Sequence, residues 1–312
     1  MQKRSSVFTV TTLLFGGLLA TIAGCSSAPG ANSIGPALPL SEKVPNGGDL
    51  FVSNFYASEI VIYAANAENP EPSGTISDGV SYPYNLAVDQ AGTLYVQNNN
   101  NTITEYPEGA SEPAKTLTEP KAGIGTGICV TVGTDSTVYA ADHYVGQVYE
   151  FKNGSGSSST TLDVSEAFGL ALDSHNNLYV GWADGSSGAS GHVMKFKPGA
   201  TSGKDLGITV KSQGGLAIDS HDDLLLGDQG NQVIDIFKKG ATTPFRTIDT
   251  SPYYPYQFAF DRKERYLYLV SGTPAAVYVY EYKTGKLAWT DSEGLKGSGY
   301  AEGVALRPAA KP

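Results

Sequence analysis

Charge and cysteine are both scarce in this chain, which restricts what it can bind and how it can be held together. Charged residues make up 17% of the 312 positions, with 21 Lys and Arg against 31 Asp and Glu. No basic run follows residue 24, whereas binding to a phosphate backbone needs clustered Lys and Arg. We therefore expect no nucleic-acid partner. The two cysteines, Cys25 and Cys129, supply no disulfide framework.

Turn-forming and aromatic residues are abundant instead. The chain contains 37 Gly, 17 Pro and 19 Tyr. Glycine and proline are typical of tight turns, and tyrosine is enriched in strands. The composition predicts an all-β protein built from many short strands, with few or no helices.

The N-terminus has the order of an export signal. Lys3 and Arg4 precede a mostly apolar stretch, residues 7–22, and small residues then lead to Cys25. The stretch is short for a transmembrane helix and is interrupted by Gly16 and Gly17. The run Ile-Ala-Gly-Cys at 22–25 resembles a bacterial lipobox, which implies that residues 1–24 are a lipoprotein signal peptide and that Cys25 is lipidated. An ordinary secretory signal with an incidental cysteine is the alternative.

The segment after the signal predicts a tether. Residues 25–47 are rich in Ser, Pro, Gly and Ala, a composition that suits a flexible connection between lipid and domain. We expect a protein anchored to a bacterial membrane, facing the periplasm or the cell surface. Ser26 favours the outer membrane, if the source has one, because Asp at that position would resemble an inner-membrane retention signal.

Residues 48–308 contain six related segments, which is the strongest pattern in the chain. A first landmark is a short apolar run with a small residue second and, in four copies, Asp at the end. Its copies start 42, 42, 46, 42 and 46 residues apart. They lie at residues 86–89, 128–131, 170–173, 216–219, 258–261 and 304–307.

Two further landmarks follow the first in each segment. The second is an apolar strand, centred on Phe51, Tyr95, Tyr139, Tyr179, Leu225 and Tyr268. The third pairs a β-branched residue with an aromatic three positions later: Ile60 with Tyr63, Ile103 with Tyr106, Val148 with Phe151, Val193 with Phe196, Ile234 with Phe237, and Val277 with Tyr280. A weaker strand then completes each unit of about 43 residues, and four-stranded units of this period are propeller blades.

The order of the landmarks also predicts how the ring closes. The repeat region begins with the second landmark and ends with the first, so both termini contribute to one blade. Pairing these strands covers two edges that would otherwise be exposed. We therefore predict a six-bladed β-propeller of four-stranded blades over residues 48–308, with residues 309–312 as a tail.

At residues 139–148 and 226–233 the chain resembles six-bladed propellers of the NHL-repeat, gluconolactonase-like and TolB-like group. The resemblance extends over nearly all of the repeat region and implies a fold more than an activity. The basic residue common before the NHL-type valine is replaced by Gln147 and Gln232. This difference argues against the binding of RNA or acidic ligands that the NHL resemblance would imply.

Several reactive residue types fall into the repeat. Cys129 stands where the other five first landmarks have alanine, so we expect a buried small side chain and not a nucleophile. His175 and His221 occupy matching turns, and His192 begins a third strand. The Asp that ends the first landmark enters a turn, where its carboxylate can cap its own backbone.

The acidic turn around residue 219 is a candidate for a bound surface ion. Asp219, Asp222 and Asp223 could hold a surface cation, although they lack the spacing of an EF-hand loop. Apart from calcium at such a place, we expect no cofactor. We assign no catalytic residue and no metal ligand.

Ligand sites in propellers usually form where the central channel opens. Two loops that lead into innermost strands, residues 82–85 and 253–257, are unusually rich in tyrosine. The predicted site consists of Tyr82, Tyr84, Asn85, Asn98, Asp142, His143, Trp182, Asp228, Tyr254, Tyr256 and Glu302, with Asn99, Asp184 and Tyr300 beside them. Rings, amides and acids on one concave surface suit a sugar, a peptide or a small molecule.

Two functions fit this sequence. The first is a non-catalytic lipoprotein whose propeller is a binding or scaffold module for a protein, glycan or small ligand at the channel mouth. The second is a metal-dependent hydrolase or lyase similar to the gluconolactonase-like propellers. That resemblance implies a Glu, Asn and Asp set, for which Glu302, Asn85 and Asp142 or Asp228 offer oxygens, while Gly127, Gly169 and Gly215 stand in other blades.

Overall fold

A computed structural model describes residues 48–120, 127–185, 190–295 and 300–307. These residues all fall within one compact unit that spans residues 37–312. Cys25, the predicted signal peptide and the predicted tether lie outside the described residues. Across the described ranges, no helix is both long and apolar enough to cross a bilayer.

The described residues form six antiparallel sheets of four strands. Blade 1 contains β1 (Asp49–Asn54), β2 (Glu59–Ala64), β3 (Gly74–Ile76) and β24 (Ala301–Arg307); blade 2 contains β4 (Pro83–Val88), β5 (Leu94–Asn98), β6 (Thr102–Tyr106) and β7 (Lys115–Thr118); blade 3 contains β8 (Gly127–Val132), β9 (Val138–Asp142), β10 (Gln147–Phe151) and β11 (Thr160–Asp163). Blade 4 contains β12 (Gly169–Leu172), β13 (Leu178–Ala183), β14 (Gly191–Phe196) and β15 (Lys204–Val210); blade 5 contains β16 (Gln213–Ile218), β17 (Leu224–Asp228), β18 (Val233–Phe237) and β19 (Arg246–Asp249); blade 6 contains β20 (Gln257–Phe260), β21 (Tyr266–Val270), β22 (Val277–Glu281) and β23 (Lys286–Asp291). One 3₁₀ turn, Lys152–Gly154, follows β10.

The inner strands of successive blades contact one another around the ring, and β24 also contacts β4 and β20. Six four-stranded blades in a ring confirm the predicted six-bladed β-propeller. Helix is limited, within the described residues, to the single 3₁₀ turn.

The ring closes through the two ends of the repeat region, as predicted. Strand β24 pairs antiparallel with β1, with Leu306 opposite Leu50 and Ala305 opposite Phe51. Arg307 Nη1 donates to Asp49 Oδ2 at 2.9 Å, and Arg307 Nε donates to the Gly92 carbonyl of blade 2 at 2.9 Å. This arginine therefore joins the shared blade to its neighbour.

The second and third landmarks occupy the second and third strands of every blade. Their apolar side chains are buried, and aromatic members such as Tyr63, Tyr106 and Phe151 are among the largest fully buried residues. Alternation along each strand sends successive side chains to opposite faces of the sheet, so each blade packs against both neighbours. The landmarks mark the core between the blades.

In blade 3 the predicted alignment of the first landmark is wrong by two residues. The inner-strand residue opposite the second-landmark aromatic is Ala87 in blade 2, where it pairs with Tyr95, but Thr131 in blade 3, where it pairs with Tyr139. Cys129 instead pairs with Ala141, two residues closer to the start of β8. It is buried with 2% exposure, so the expected burial holds although the alanine equivalence does not.

The ring has two faces. All inner strands begin at the edge where second strands end, as the pairs Pro83 with Asn98 and Gly127 with Asp142 show. We call this edge the mouth face, and the edge carrying the turns between inner and second strands the hairpin face. On the hairpin face, Asp89 Oδ1 accepts from Thr93 N at 2.8 Å, and Asp173, Asp219 and Asp261 cap their own turns in the same way. The predicted turn capping is confirmed.

Candidate functional site: the channel mouth

Strand pairing defines one equivalent position per blade at the start of the inner strand. In blade 2 the second-landmark residue is Tyr95, the next residue, Val96, pairs with Leu86 of the inner strand, and the position in question lies two residues before Leu86. The same counting applies in the other five blades. We call these six residues the mouth ring. Its members, from blade 1 to blade 6, are Glu302, Tyr84, Ile128, Phe168, Gly214 and Tyr256. Aromatic side chains therefore occupy alternate blades, and the ring contains a single ionisable carboxyl group.

Two of these aromatic rings meet although they belong to blades that are not adjacent. The rings of Phe168 and Tyr256 form an edge-to-face contact with centroids 5.1 Å apart. Gly214, in the blade between them, presents no side chain, and a Cβ there would collide with the Pro255 carbonyl oxygen. Glycine at this position therefore lets the 255–256 segment cross the inner end of blade 5.

Glu302 is held in the mouth ring by the backbone. Its N–H and that of Gly303 both donate to Ser53 Oγ, at 3.2 and 2.6 Å, and Ser53 Oγ in turn donates to the Tyr84 carbonyl at 3.2 Å. The pairing of β24 with β1 shifts register at this point, between Val52 and Asn54. The bulge and the serine together fix the direction of the Glu302 side chain.

One oxygen of the Glu302 carboxyl group is buried and has no hydrogen-bond partner among the described residues. Glu302 is 8% exposed, and the atom that has no hydrogen-bond partner within the described part of the chain is Oε2. Burial raises the pKa of Glu302 to about 7. Burial and then the nearby Glu302 charge raise the pKa of Tyr84 to about 12, and the same two causes raise the pKa of Tyr256. The acid therefore lies between two tyrosines of the ring.

A second buried carboxyl group lies on the same face. Glu119, in the loop after β7, has 3% exposure; its Oε1 accepts from Gln97 Nε2 at 3.1 Å and its Oε2 is unpartnered among the described residues. Burial, and secondarily the Asp142 carboxylate, raise the pKa of Glu119 to about 8. The mouth face thus carries two acids whose charge is poorly compensated.

Tyrosines cover the outer part of the mouth face. Seven large hydrophobic side chains are exposed in the described ranges, and five of them are tyrosines in loops of this face. These are Tyr56, Tyr82, Tyr144, Tyr254 and Tyr300. Phe55 connects the outer tyrosines to the mouth ring, because its ring lies 5.5 Å from Tyr82 and 4.8 Å from Tyr84. Single exposed hydrophobic residues are ordinary, whereas a connected group marks an interaction surface.

Four predicted site residues use their polar atoms within the fold. Asn98 Oδ1 accepts from Ser81 N at 2.9 Å, and Asp142 Oδ1 accepts from Val145 N at 3.0 Å. Asp228 accepts from four backbone N–H groups, at residues 211, 212, 230 and 231, and from the side chain of Asn231. Asn85 Oδ1 accepts from Val130 N at 3.2 Å, which joins blade 2 to blade 3. These side chains shape the mouth loops.

The other predicted residues present rings or unpartnered atoms. Tyr84, Tyr256 and Glu302 belong to the mouth ring, and Tyr82 and Tyr254 to the exposed tyrosines. His143 lies in the loop between β9 and β10, with its ring centroid 6.2 Å from that of Phe168. Trp182 stacks on His192 with centroids 4.8 Å apart. His143 Nδ1 and Trp182 Nε1 are buried and have no partner among the described residues.

Sequence reasoning missed Phe55, Tyr56, Tyr144, Phe168 and Glu119. Phe168 was accessible to it, because it stands two residues before Leu170 as Tyr84 stands two before Leu86. Phe55 and Tyr56 directly follow the end of β1, where the repeat places a mouth loop. Glu119 carries no sequence signal, since its burial depends on how the loop after β7 folds.

Metal-ligand geometry occurs on the other face. Among the described residues, the one group of three His, Cys, Asp or Glu side chains with ligand atoms within 4.8 Å of one another is Asp219, His221 and Glu264. Its carboxylates are already engaged: Glu264 accepts from Ser220 N and Oγ at 2.6 and 2.7 Å, and Asp219 accepts from Tyr282 Oη at 2.9 Å. Within the described ranges, Glu302, Asp142 and Asp228 belong to no such group of three at the mouth.

The predicted cation cluster at the same turn is occupied by lysines. Lys239 Nζ lies 2.9 Å from Asp222 Oδ2, and Lys238 Nζ lies 2.6 Å from Asp223 Oδ2. Asp222 also accepts from Ser174 N and Oγ of blade 4. The turns surround a cavity of about 340 Å³ on the hairpin face. These acids join blade 5 to its neighbours and to its own lysines, and calcium at this turn stays a prediction from the sequence.

Comparison with known proteins confirms the architecture. A chain from the crystal structure of a nidogen/laminin complex superposes with a TM-score of 0.68 at 14% identity, over 85% of this chain and 100% of that chain. The chain is a β-propeller. A protein of unknown function from Bacteroides caccae superposes with a TM-score of 0.62 at 12% identity, over 84% and 99% of the two chains. No family model and no curated protein matches the chain. Identities this low show a shared fold alone.

Proposed function

We propose that this protein is a lipid-anchored, extracytoplasmic binding module that holds a protein, glycan or small ligand at the mouth of its propeller. The observation that carries the proposal is the presence of five exposed tyrosines on the mouth face, of which Tyr56, Tyr82 and Tyr300 connect through Phe55 with the mouth ring. Tyrosine offers a broad apolar ring and a polar hydroxyl at little entropic cost, which is why it is enriched in binding surfaces.

The structural neighbours are compatible with this role. One of them is a chain in a complex of nidogen and laminin, so a propeller of this shape takes part in an assembly there. A fold hosts many functions, and the argument for binding therefore comes from the mouth face itself. The anchor at Cys25 rests on the lipobox resemblance, and the export signal supports the compartment.

The alternative metal-dependent hydrolase or lyase gains no specific support from the mouth. Such an enzyme needs several ligand side chains around one ion. Asn85 and Asp228, two of the expected oxygens, already accept backbone hydrogen bonds. Calcium at the hairpin face remains a prediction from the sequence.

The test is a comparison of two exposed surfaces on the same propeller. The mouth variant replaces Tyr56, Tyr144 and Tyr254 with Ser. The matched control replaces Phe245 and Leu287 with Ser as well, because these side chains are similarly exposed but lie away from the mouth. Each protein is immobilised and incubated with envelope extract. In a separate assay, each protein is applied in solution to a glycan array.

We expect the wild type and the control to retain the same ligand and the mouth variant to lose most of it. Equal retention by all three proteins, or loss in the control alone, would contradict the proposal. Circular dichroism of each variant confirms that the propeller is still folded.

A further inference from the structure

We propose that the mouth ring binds an organic ammonium group, with Glu302 as its counter-charge and the rings of Tyr84, Phe168 and Tyr256 as its aromatic wall. This inference rests on the proposed function and narrows its ligand to a molecule that carries an alkylammonium centre. It uses the inner mouth ring, whereas the proposed function rests on the outer tyrosines.

Glu302 carries a buried carboxylate oxygen that has no partner among the described residues. Glu302 has 8% exposure and no hydrogen bond to Oε2 among the described residues, although buried acids are normally paired or hydrogen-bonded. The ion pairs of the described residues involve other acids, such as Asp173 with Lys195 and Asp49 with Arg307. A cation supplied by a ligand would give Glu302 the partner that these residues do not provide.

Aromatic side chains lie near this carboxylate. Aromatic rings present a negative face, and aromatic cages with an acidic residue are the usual receptors for quaternary ammonium groups. Tyr84 and Tyr256 lie on either side of Glu302 in the ring of blades, and Phe168 contacts Tyr256 at 5.1 Å. Glu302 is therefore close to Tyr84 and Tyr256, and Phe168 joins this group through its contact with Tyr256.

The described charges of the mouth face disfavour an anion or a bare metal ion as the ligand. An anion would face Glu302 and Glu119, both buried and poorly compensated, at a face without a described basic partner for either. A bare metal ion requires several oxygen or nitrogen ligands, and no group of three His, Cys, Asp or Glu side chains converges at the mouth within the described ranges. An ammonium group needs one counter-charge and a large aromatic contact, and the mouth ring has both.

The experiment compares choline with 3,3-dimethylbutan-1-ol, which has the same shape without the charge, by isothermal titration calorimetry on the wild-type protein. We expect choline to bind at least about tenfold more tightly than the alcohol, which corresponds to one desolvated charge interaction. Nα-acetyl-lysine N-methylamide forms a second arm. Tighter binding of this primary ammonium than of choline would assign the site to a lysine side chain of a polypeptide, and the reverse order to a small quaternary ligand.

Variants connect binding to the mouth ring. Glu302→Gln and Tyr256→Leu should each weaken choline binding at least about tenfold. Glu112→Gln, at an exposed position between β6 and β7, should leave it unchanged. Thermal unfolding of each variant shows that a lost signal comes from a folded protein.

Equal affinity for choline and the alcohol, unchanged binding in Glu302→Gln, or no binding of either ammonium compound would overturn the inference. The proposed function would survive each of these results if the mouth variant of the outer tyrosines still lost its ligand. If that variant retained its ligand while choline bound through Glu302, the ammonium site would stand without the proposed function.

Discussion

Neutralising Glu302 should stabilise the folded protein at neutral and alkaline pH. Burial raises the pKa of Glu302 from 4.5 to about 7, so the folded state binds a proton that the unfolded state releases. Stability is therefore highest below the unfolded pKa and falls as the pH rises through the folded pKa. A shift of this size corresponds to about 3 kcal/mol, at about 1.4 kcal/mol for each pH unit.

The perturbation is Glu302→Gln, and the assay is urea unfolding followed by fluorescence between pH 4.5 and pH 8. The difference in free energy of unfolding between variant and wild type should increase by about 3 kcal/mol in favour of the variant from pH 4.5 to pH 8. Any cost of the amide that does not depend on pH is the same at both ends of the range and cancels in this comparison. The nearby Tyr84 and Tyr256 stay neutral because their pKa values are raised. Glu112→Gln, which changes an exposed acid, should gain less than about 0.5 kcal/mol.

The result that would refute this reasoning is a difference between variant and wild type that does not change with pH. Such a result would mean that Glu302 is hydrated or paired in solution. The unpaired Glu302 carboxylate would then no longer support the proposed binding of a ligand cation. A gain at pH 8 together with lost choline binding would instead show a site residue that binds at the expense of stability.

Three further predictions follow from other parts of the chain. Cys25→Ser should abolish incorporation of a labelled fatty acid and release the protein from the membrane fraction, and persistent labelling of the variant would contradict the lipobox assignment. Ser53→Ala should lower the free energy of unfolding by about 1–3 kcal/mol in urea, because two backbone N–H groups of the β24 bulge lose their acceptor, while Ser77→Ala at an exposed position should have little effect. Cys129 should resist alkylation at pH 8 until the protein unfolds, because burial raises the pKa of its thiol to about 12; rapid labelling in the native state, read by peptide mass spectrometry, would contradict this.

The fold was predictable because each blade contributes the same pattern of core residues to the sequence. Second- and third-landmark residues such as Tyr95 and Ile103 stand at the same place in each blade, where packing between blades demands a large apolar side chain. Blade 3 misled the alignment for a local reason. Residues 128–131 imitate the apolar run of the first landmark, and the turn that follows β8 begins with Gly133, where blades 2, 4, 5 and 6 have Asp. In that turn, Asp135 Oδ1 accepts from Thr137 N and supplies the missing cap.

The candidate site was predictable only in part. Tyr84 and Tyr256 were found because aromatic residues in loops are conspicuous in a sequence. Asn98 and Asp228 looked like binding groups, but they end second strands and close loops, a role that their recurrence at equivalent positions already indicated. The unpartnered state of Glu302 could not be predicted, because it depends on which side chains the neighbouring blades place around it.

The most direct test of the binding surface is site-specific photo-crosslinking in intact cells. p-Benzoylphenylalanine replaces Tyr144, the most exposed tyrosine of the mouth face, or Phe245, an exposed aromatic in the turn before β19. After irradiation we expect a covalent adduct at position 144 and none at position 245. Adducts of equal yield at both positions, or an adduct at position 245 alone, would contradict the claim that this propeller binds its ligand at the mouth.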